Sequence, residues 1–152
     1  MAACFRYIVD DVNAAIEFYT KHLGFKLEMH PAPPFAEISR EDMHIYLTQP
    51  FNLGGGAPMP SGEQQTPGGW NRIHLTVEDL DGMIAALRAS DCRFRNEVSQ
   101  GIGGKQILLE DPSGNPIELF QPNTAEYRAP GSGGAGSPAS GRSVSRSAAR
   151  AP

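Results

Sequence analysis

Large apolar and polar side chains alternate from Cys4 to Val9, the two-residue period of a strand. Asp10 and Asp11 follow, offering an N-cap and the negative charge that a helix start favours. Val12, Ala15, Ile16, Tyr19 and Leu23 then recur at helical spacing, and Gly24 supplies a stop. Phe25 to His30 returns to strand character until Pro31, Pro33 and Pro34 break it. Phe35 to Ser39 and Met43 to Thr48 predict two further strands about the polar turn Arg40-Glu41-Asp42. The order is β-α-β-β-β.

The same pattern returns about seventy residues later. Val9-Asp10-Asp11-Val12 is echoed by Val77-Glu78-Asp79-Leu80, 68 positions on, and Ile45 to Pro50 by Ile117 to Pro122, 72 on. Arg72 to Val77 predicts a strand, and Leu80, Met83, Ile84 and Leu87 mark a helix face. Cys92 to Val98, Gln106 to Glu110 and Pro116 to Gln121 predict strands, the last two joined by the turn Asp111-Pro112-Ser113-Gly114-Asn115. Between the copies, residues 51–69 are rich in Gly and Pro and predict a structureless linker. Two copies of one unit imply a pseudo-symmetric body with a cavity along the seam.

Alternation also assigns faces. Each helix must bury its apolar stripe on its sheet, so Phe5, Tyr7 and Val9 pack, as do Ile73, Leu75 and Val77. Cys4, Arg6 and Ile8, and likewise Arg72, His74 and Thr76, then face the opposite, concave side. In the closing strands, His44, Tyr46 and Thr48 face inward in the first copy, and Glu118 and Phe120 in the second.

Charge narrows the partners. Residues 1–127 hold all 17 acidic residues and nine of the 13 Lys and Arg, a net charge of −8; the last 25 hold four Arg and no acid, +4. An acidic body lacks the dense cationic surface that phosphate contacts require, so no nucleic-acid partner is expected, and cationic compounds suit it better. No apolar run approaches the ~20 residues of a membrane span. Neither a signal-peptide layout nor a disulfide framework is present, so a cytoplasmic protein is expected.

Val9-Asp10-Asp11 with Phe18-Tyr19 and Leu23-Gly24-Phe25, then Asp111-Pro112-Ser113-Gly114-Asn115-Pro116-Ile117-Glu118-Leu119, resemble the vicinal oxygen chelate superfamily. That superfamily includes glyoxalase I, extradiol dioxygenases, fosfomycin-resistance enzymes and bleomycin-resistance proteins, and the resemblance covers about residues 3–122. It implies an α+β fold of two tandem βαβββ modules, forming a half-open sheet around a ligand pocket, usually in a homodimer. The expected divisions are residues 1–50, a linker at 51–69, a second module at 70–122 and a disordered tail at 123–152.

In metal-using members the ligands come from the first and last strand of each module. The matching positions here are Cys4 and Arg72, then Tyr46 and Glu118. Only Glu118 is an ordinary ligand: arginine is permanently cationic, and Tyr46 and Cys4 bind only when deprotonated. The resemblance therefore implies a metal-free pocket of bleomycin-resistance character, in which Arg72 replaces the cation and pairs with Glu118. Its expected ligand-binding residues are Arg6, His44, Tyr46, Arg72, His74, Glu118 and Phe120.

Two alternatives stay open. A shifted centre of His44, His74 and Glu118 would suit Fe, Mn, Ni or Zn and a metal-dependent lyase, isomerase or dioxygenase. Alternatively, Glu118 or His74 acts as a general base beside Arg72 in a metal-free enzyme. Cys4 and Cys92 are expected to be small packing residues, and Gly54-Gly55-Gly56 lacks the Lys of a phosphate-binding loop. Trp70, which opens the second copy, is a candidate wall of the pocket or of the dimer seam, with plain packing at the module edge the first expectation.

Overall fold

The computed structural model describes residues 1–123; the expected tail lies outside them beyond Asn123. In the first module β1 (Phe5–Ile8) leads to α1 (Val12–His22), then β2 (Lys26–Ala32), β3 (Phe35–Arg40) and β4 (Met43–Thr48). The sheet order is β1-β4-β3-β2, with β1 parallel to β4 and the rest antiparallel. The second module repeats this with β5 (Ile73–Thr76), α2 (Leu80–Ala89), β6 (Arg93–Phe94), β7 (Ser99–Gln100), β8 (Gly104–Glu110) and β9 (Pro116–Pro122). Its order is β5-β9-β8-β6, with β7 also on β8.

The repeat extends to single capping atoms. Asp11 accepts from Ala14 N–H and Asp79 from Gly82 N–H, each at 3.0 Å, so both helices carry the same N-cap. Gln49 Oε1 accepts from Val12 N–H at 2.9 Å, and Gln121 Oε1 from Leu80 N–H at 2.8 Å. Each closing strand thus ends in an amide that satisfies an orphan donor at its own module's helix start. Gly24 turns the chain after α1 at φ +70°, and the N–H groups of Leu23 and Phe25 both return to the Tyr19 carbonyl.

One apolar core runs through both modules. It takes Tyr7, Val12, Ala15, Tyr19, Ile45 and Leu47 from the first, and Ile73, Leu80, Ile107, Ile117 and Leu119 from the second. The expected packing faces of the strands are therefore the buried ones. Polar bonds then lock the seam. Tyr7 Oη donates to the Pro116 carbonyl at 2.6 Å and accepts from Ile73 N–H at 3.0 Å. Asp111, 1% exposed, accepts from Tyr19 Oη, from Ser113 N–H and from both Asn115 nitrogens at 2.9–3.0 Å. Asn115 Nδ2 also donates to the Ile8 carbonyl. Burial raises the Asp111 carboxyl above the usual aspartate range against these donors, and burial likewise pushes the Tyr7 and Tyr19 phenols well up. The segment read as a turn is thus also the clamp between modules.

Three expectations need correction. β2 continues through Pro31 to Ala32, because it is an edge strand paired only with β3, irregular in register, where a missing N–H costs little. The strand expected over Cys92–Val98 is interrupted after Phe94. There Asn96 Oδ1 takes the Leu108 N–H at 2.9 Å, a side chain standing in for a ladder carbonyl. Residues 51–69 are not structureless: Gly54–Gly56 form a short 3-10 turn, Gln65 Nε2 ties the Gly55 and Ala57 carbonyls, and Gly68 N–H reaches Asn115 Oδ1.

Candidate functional site

On the second sheet, β5 and β9 pair in parallel with His74 opposite Glu118, placing both on the inward face. Arg72, just before β5, donates from Nε to Glu118 Oε2 at 2.7 Å, and its Nη2 lies 2.7 Å from the same oxygen. His74 Nε2 stands 3.7 Å from the other oxygen, Oε1, and the His74 ring lies 5.1 Å from Phe120. The Glu118 side chain is 13% exposed, and these neighbours are its polar partners. The antiparallel β8–β9 pairing adds Leu108 opposite Glu118 and Gln106 opposite Phe120. Glu110 follows on the same face and accepts from Arg95 Nε at 3.0 Å. Two guanidinium–carboxylate pairs therefore lie side by side.

The inward face of the first sheet is built differently. Arg6 donates to Thr48 Oγ1 at 2.6 Å and places its guanidinium 5.3 Å from the centre of the Tyr46 ring, which also packs edge-on against Phe35. Residues 54–56 fold back over it, so that a side chain at Gly55 would strike the Arg6 guanidinium. The Cys4 thiol beside Tyr46 holds that phenol above its ordinary range. His44 Nδ1 is 2.7 Å from Glu37 Oε1, and Ser39 donates to Glu28 at 2.5 Å.

The structure brings Arg72, His74, Glu118 and Phe120 together, and separately Arg6 with Tyr46. It does not join His44 to His74 and Glu118: His44 belongs to the first sheet and is engaged by Glu37. Among the described residues no three His, Cys, Asp or Glu side chains converge on a metal-sized site. The four positions matching the superfamily's ligands do not fit a metal on chemical grounds, since Arg72 cannot ligate and its donors occupy the Glu118 oxygen nearest it. Cys4 is exposed rather than packed, whereas Cys92 is partly buried against the core.

Arg95, Glu110, Glu37 and Glu28 were not singled out by the sequence. Alternation of polar positions along β8 and β3 was the available signal for Glu110 and Glu37, although charged residues on a strand read equally well as a solvated face; Arg95 lies outside the strands and carried no such signal. A cleft of about 500 Å³ opens between α1 (Phe18, Lys21, His22) and Cys92, Arg93 and Pro112; Glu110 borders it, but none of the residues expected from the sequence does.

Comparison with known proteins places this arrangement. The model of the Glyoxalase/Bleomycin resistance protein/Dioxygenase superfamily matches residues 3–119. A probable chloroplastic lactoylglutathione lyase of Arabidopsis thaliana is 26% identical over 124 residues, 76% of this chain; the chain spans only 34% of that relative's length. An antibiotic binding protein from Streptomyces sp. CB03234 aligns with a TM-score of 0.61 at 25% identity, over 81% of this chain and 96% of that one. A lactoylglutathione lyase from Agrobacterium tumefaciens shares the fold at 17% identity, with a TM-score of 0.61 over 80% and 94% of the two chains. This chain belongs to the glyoxalase/bleomycin resistance protein/dioxygenase superfamily.

Proposed function

We propose that this protein holds a small organic molecule on the inward face of its second module, without a metal ion and without altering the molecule chemically. The Arg72–Glu118 pair carries this reading, with both Nε and Nη2 at 2.7 Å from one carboxylate oxygen. The guanidinium supplies the fixed positive charge that an ion supplies in metal-using relatives, and it withholds the carboxylate from any ion. His74 and Phe120 add a polar tip and an apolar wall, the mix expected of a small-molecule site. The antibiotic binding protein of the same fold supports a binding role by likeness. The β2 edge, exposed along its length with Leu27 and Met29, supports a homodimer as the working unit.

Protein purified without chelator tests this. Elemental analysis is expected to find only traces of Fe, Mn, Ni and Zn, and calorimetric binding of organic ligands is expected to survive EDTA. One tightly held ion per chain overturns the reading. A metal-dependent lyase, isomerase or dioxygenase is the second reading, favoured by His74 Nε2 at 3.7 Å from Glu118 Oε1 and by the Arabidopsis relative. It requires Arg72 to swing away, and it predicts turnover that chelators abolish. Proton abstraction by Glu118 is disfavoured, because two Arg72 donors already occupy one of its oxygens.

A further inference from the structure

Trp70 is the single tryptophan, and contrary to the packing expected of it, its side chain stands in water: the residue is 71% exposed. It is nevertheless held in place. The Arg95 guanidinium lies 4.9 Å from the centre of the indole. Arg95 is itself only 17% exposed and is fixed by Glu110 Oε1 at 3.0 Å and by the carbonyls of Gly69 and Gly114 at 2.5 and 2.8 Å. On the other side, Arg72 Nη1 donates to the Trp70 carbonyl at 3.1 Å while the same guanidinium grips Glu118. The indole is therefore backed by a cation and anchored to the proposed site, and much of its surface remains free.

We infer that Trp70 is a stacking platform for the flat aromatic part of the ligand, with an oxygen of that ligand reaching the N–H groups of Arg72 that Glu118 and Trp70 leave unused. The inference rests on the binding role proposed above and narrows its ligand to flat aromatic acids or carbonyl compounds. A guanidinium carries five donors, and Glu118 and the Trp70 carbonyl do not exhaust them. A cationic ring is the poorer occupant, because Arg95 already places a positive charge against the indole. The acidity of the whole body does not decide the matter, since distant charges are screened beyond roughly 8 Å at physiological salt; at the site itself Arg72 and Arg95 are each paired with a carboxylate, and the unused guanidinium N–H groups select an oxygen.

The sole tryptophan makes its own reporter. With 2-naphthoate as probe, Trp70 emission should begin at the red-shifted position of a solvated indole and change saturably on titration. Trp70→Ala should weaken calorimetric binding about tenfold and Trp70→Phe much less, as stacking contacts of this size require. Cyclohexanecarboxylate, equally charged but not flat, should leave the emission unchanged. Because the indole is exposed, Trp70→Ala should keep the fold, checked by its melting temperature. If naphthoate binds equally well to Trp70→Ala but is lost in Arg72→Lys, the platform is refuted and the Arg72–Glu118 pocket stands. If Trp70→Ala weakens binding and Arg72→Lys does not, the platform stands and the pocket reading falls. Absence of naphthoate binding by calorimetry refutes the inference, as does poor acrylamide quenching of ligand-free protein, which would mean that another surface, such as a second copy, covers the indole.

Discussion

In the first module Arg6 of β1 lies opposite Tyr46 of β4; in the second, the matching places hold His74 and Glu118. Two residues earlier the contrast is Cys4 against Arg72. Around these positions the modules agree closely, with Asp11 and Asp79 capping the helices and Gln49 and Gln121 bonding the helix starts. The difference teaches where a duplicated unit is free to change. Backbone donors at a helix start need a partner in each copy, so the residues that serve them recur. Inward side chains serve no helix start, so they are free to diverge. The first face became a cation resting on an aromatic ring, and the second a pair of charge-neutralised forks.

The largest expected effect tests what joins the two halves. Asp111→Ala removes an acceptor shared by four donors and should cost about 3 kcal/mol or more, since buried donors left without partners are expensive. A denaturant midpoint shifted at unchanged slope would show one cooperative body; two separate transitions would show that the modules unfold independently. The inward faces should answer differently to losing their cation. Arg72→Ala leaves Glu118 mostly buried beside only His74 and should cost about 2 kcal/mol. Arg6→Ala gives up one hydroxyl bond and a ring contact and should cost about 1 kcal/mol. Equal losses in thermal or denaturant unfolding would erase the proposed contrast.

The shared caps should instead give matching answers. Gln49→Ala and Gln121→Ala are each expected to cost about 1 kcal/mol, and a marked inequality would mean that the repeat is only skin-deep. Smallest of all is Gly55→Ala. Its new methyl would meet the flexible end of Arg6, which can move aside, so unfolding should shift by only about 0.5 kcal/mol. That change should perturb the first face alone, leaving any ligand affinity of the second module intact.

Much of the architecture was legible residue by residue. Alternation in β1, β4, β5 and β9 named the buried side of each strand, because a two-residue period leaves only two faces to choose between. The Arg72–Glu118 pair was expected from the resemblance, which sets both residues at ligand positions; the register puts His74 opposite Glu118, and Arg72 reaches the carboxylate from two residues earlier. Pro31 misled because local pattern does not say which strand lies at an edge, where proline is tolerated. Asn96 misled because strand propensity ignores a side chain that captures a ladder donor.

By itself the chain determined its repeat, its two-layer modules and the polarity of their inward faces, all consequences of local periodicity and near-neighbour capping. Only the tertiary structure decided that Asp111 and Asn115 clamp the modules, that His44 turns to Glu37, and that Trp70 stands in water upon Arg95. These are contacts between residues far apart in sequence or across strands. Their partners are selected by packing, which composition and period do not encode.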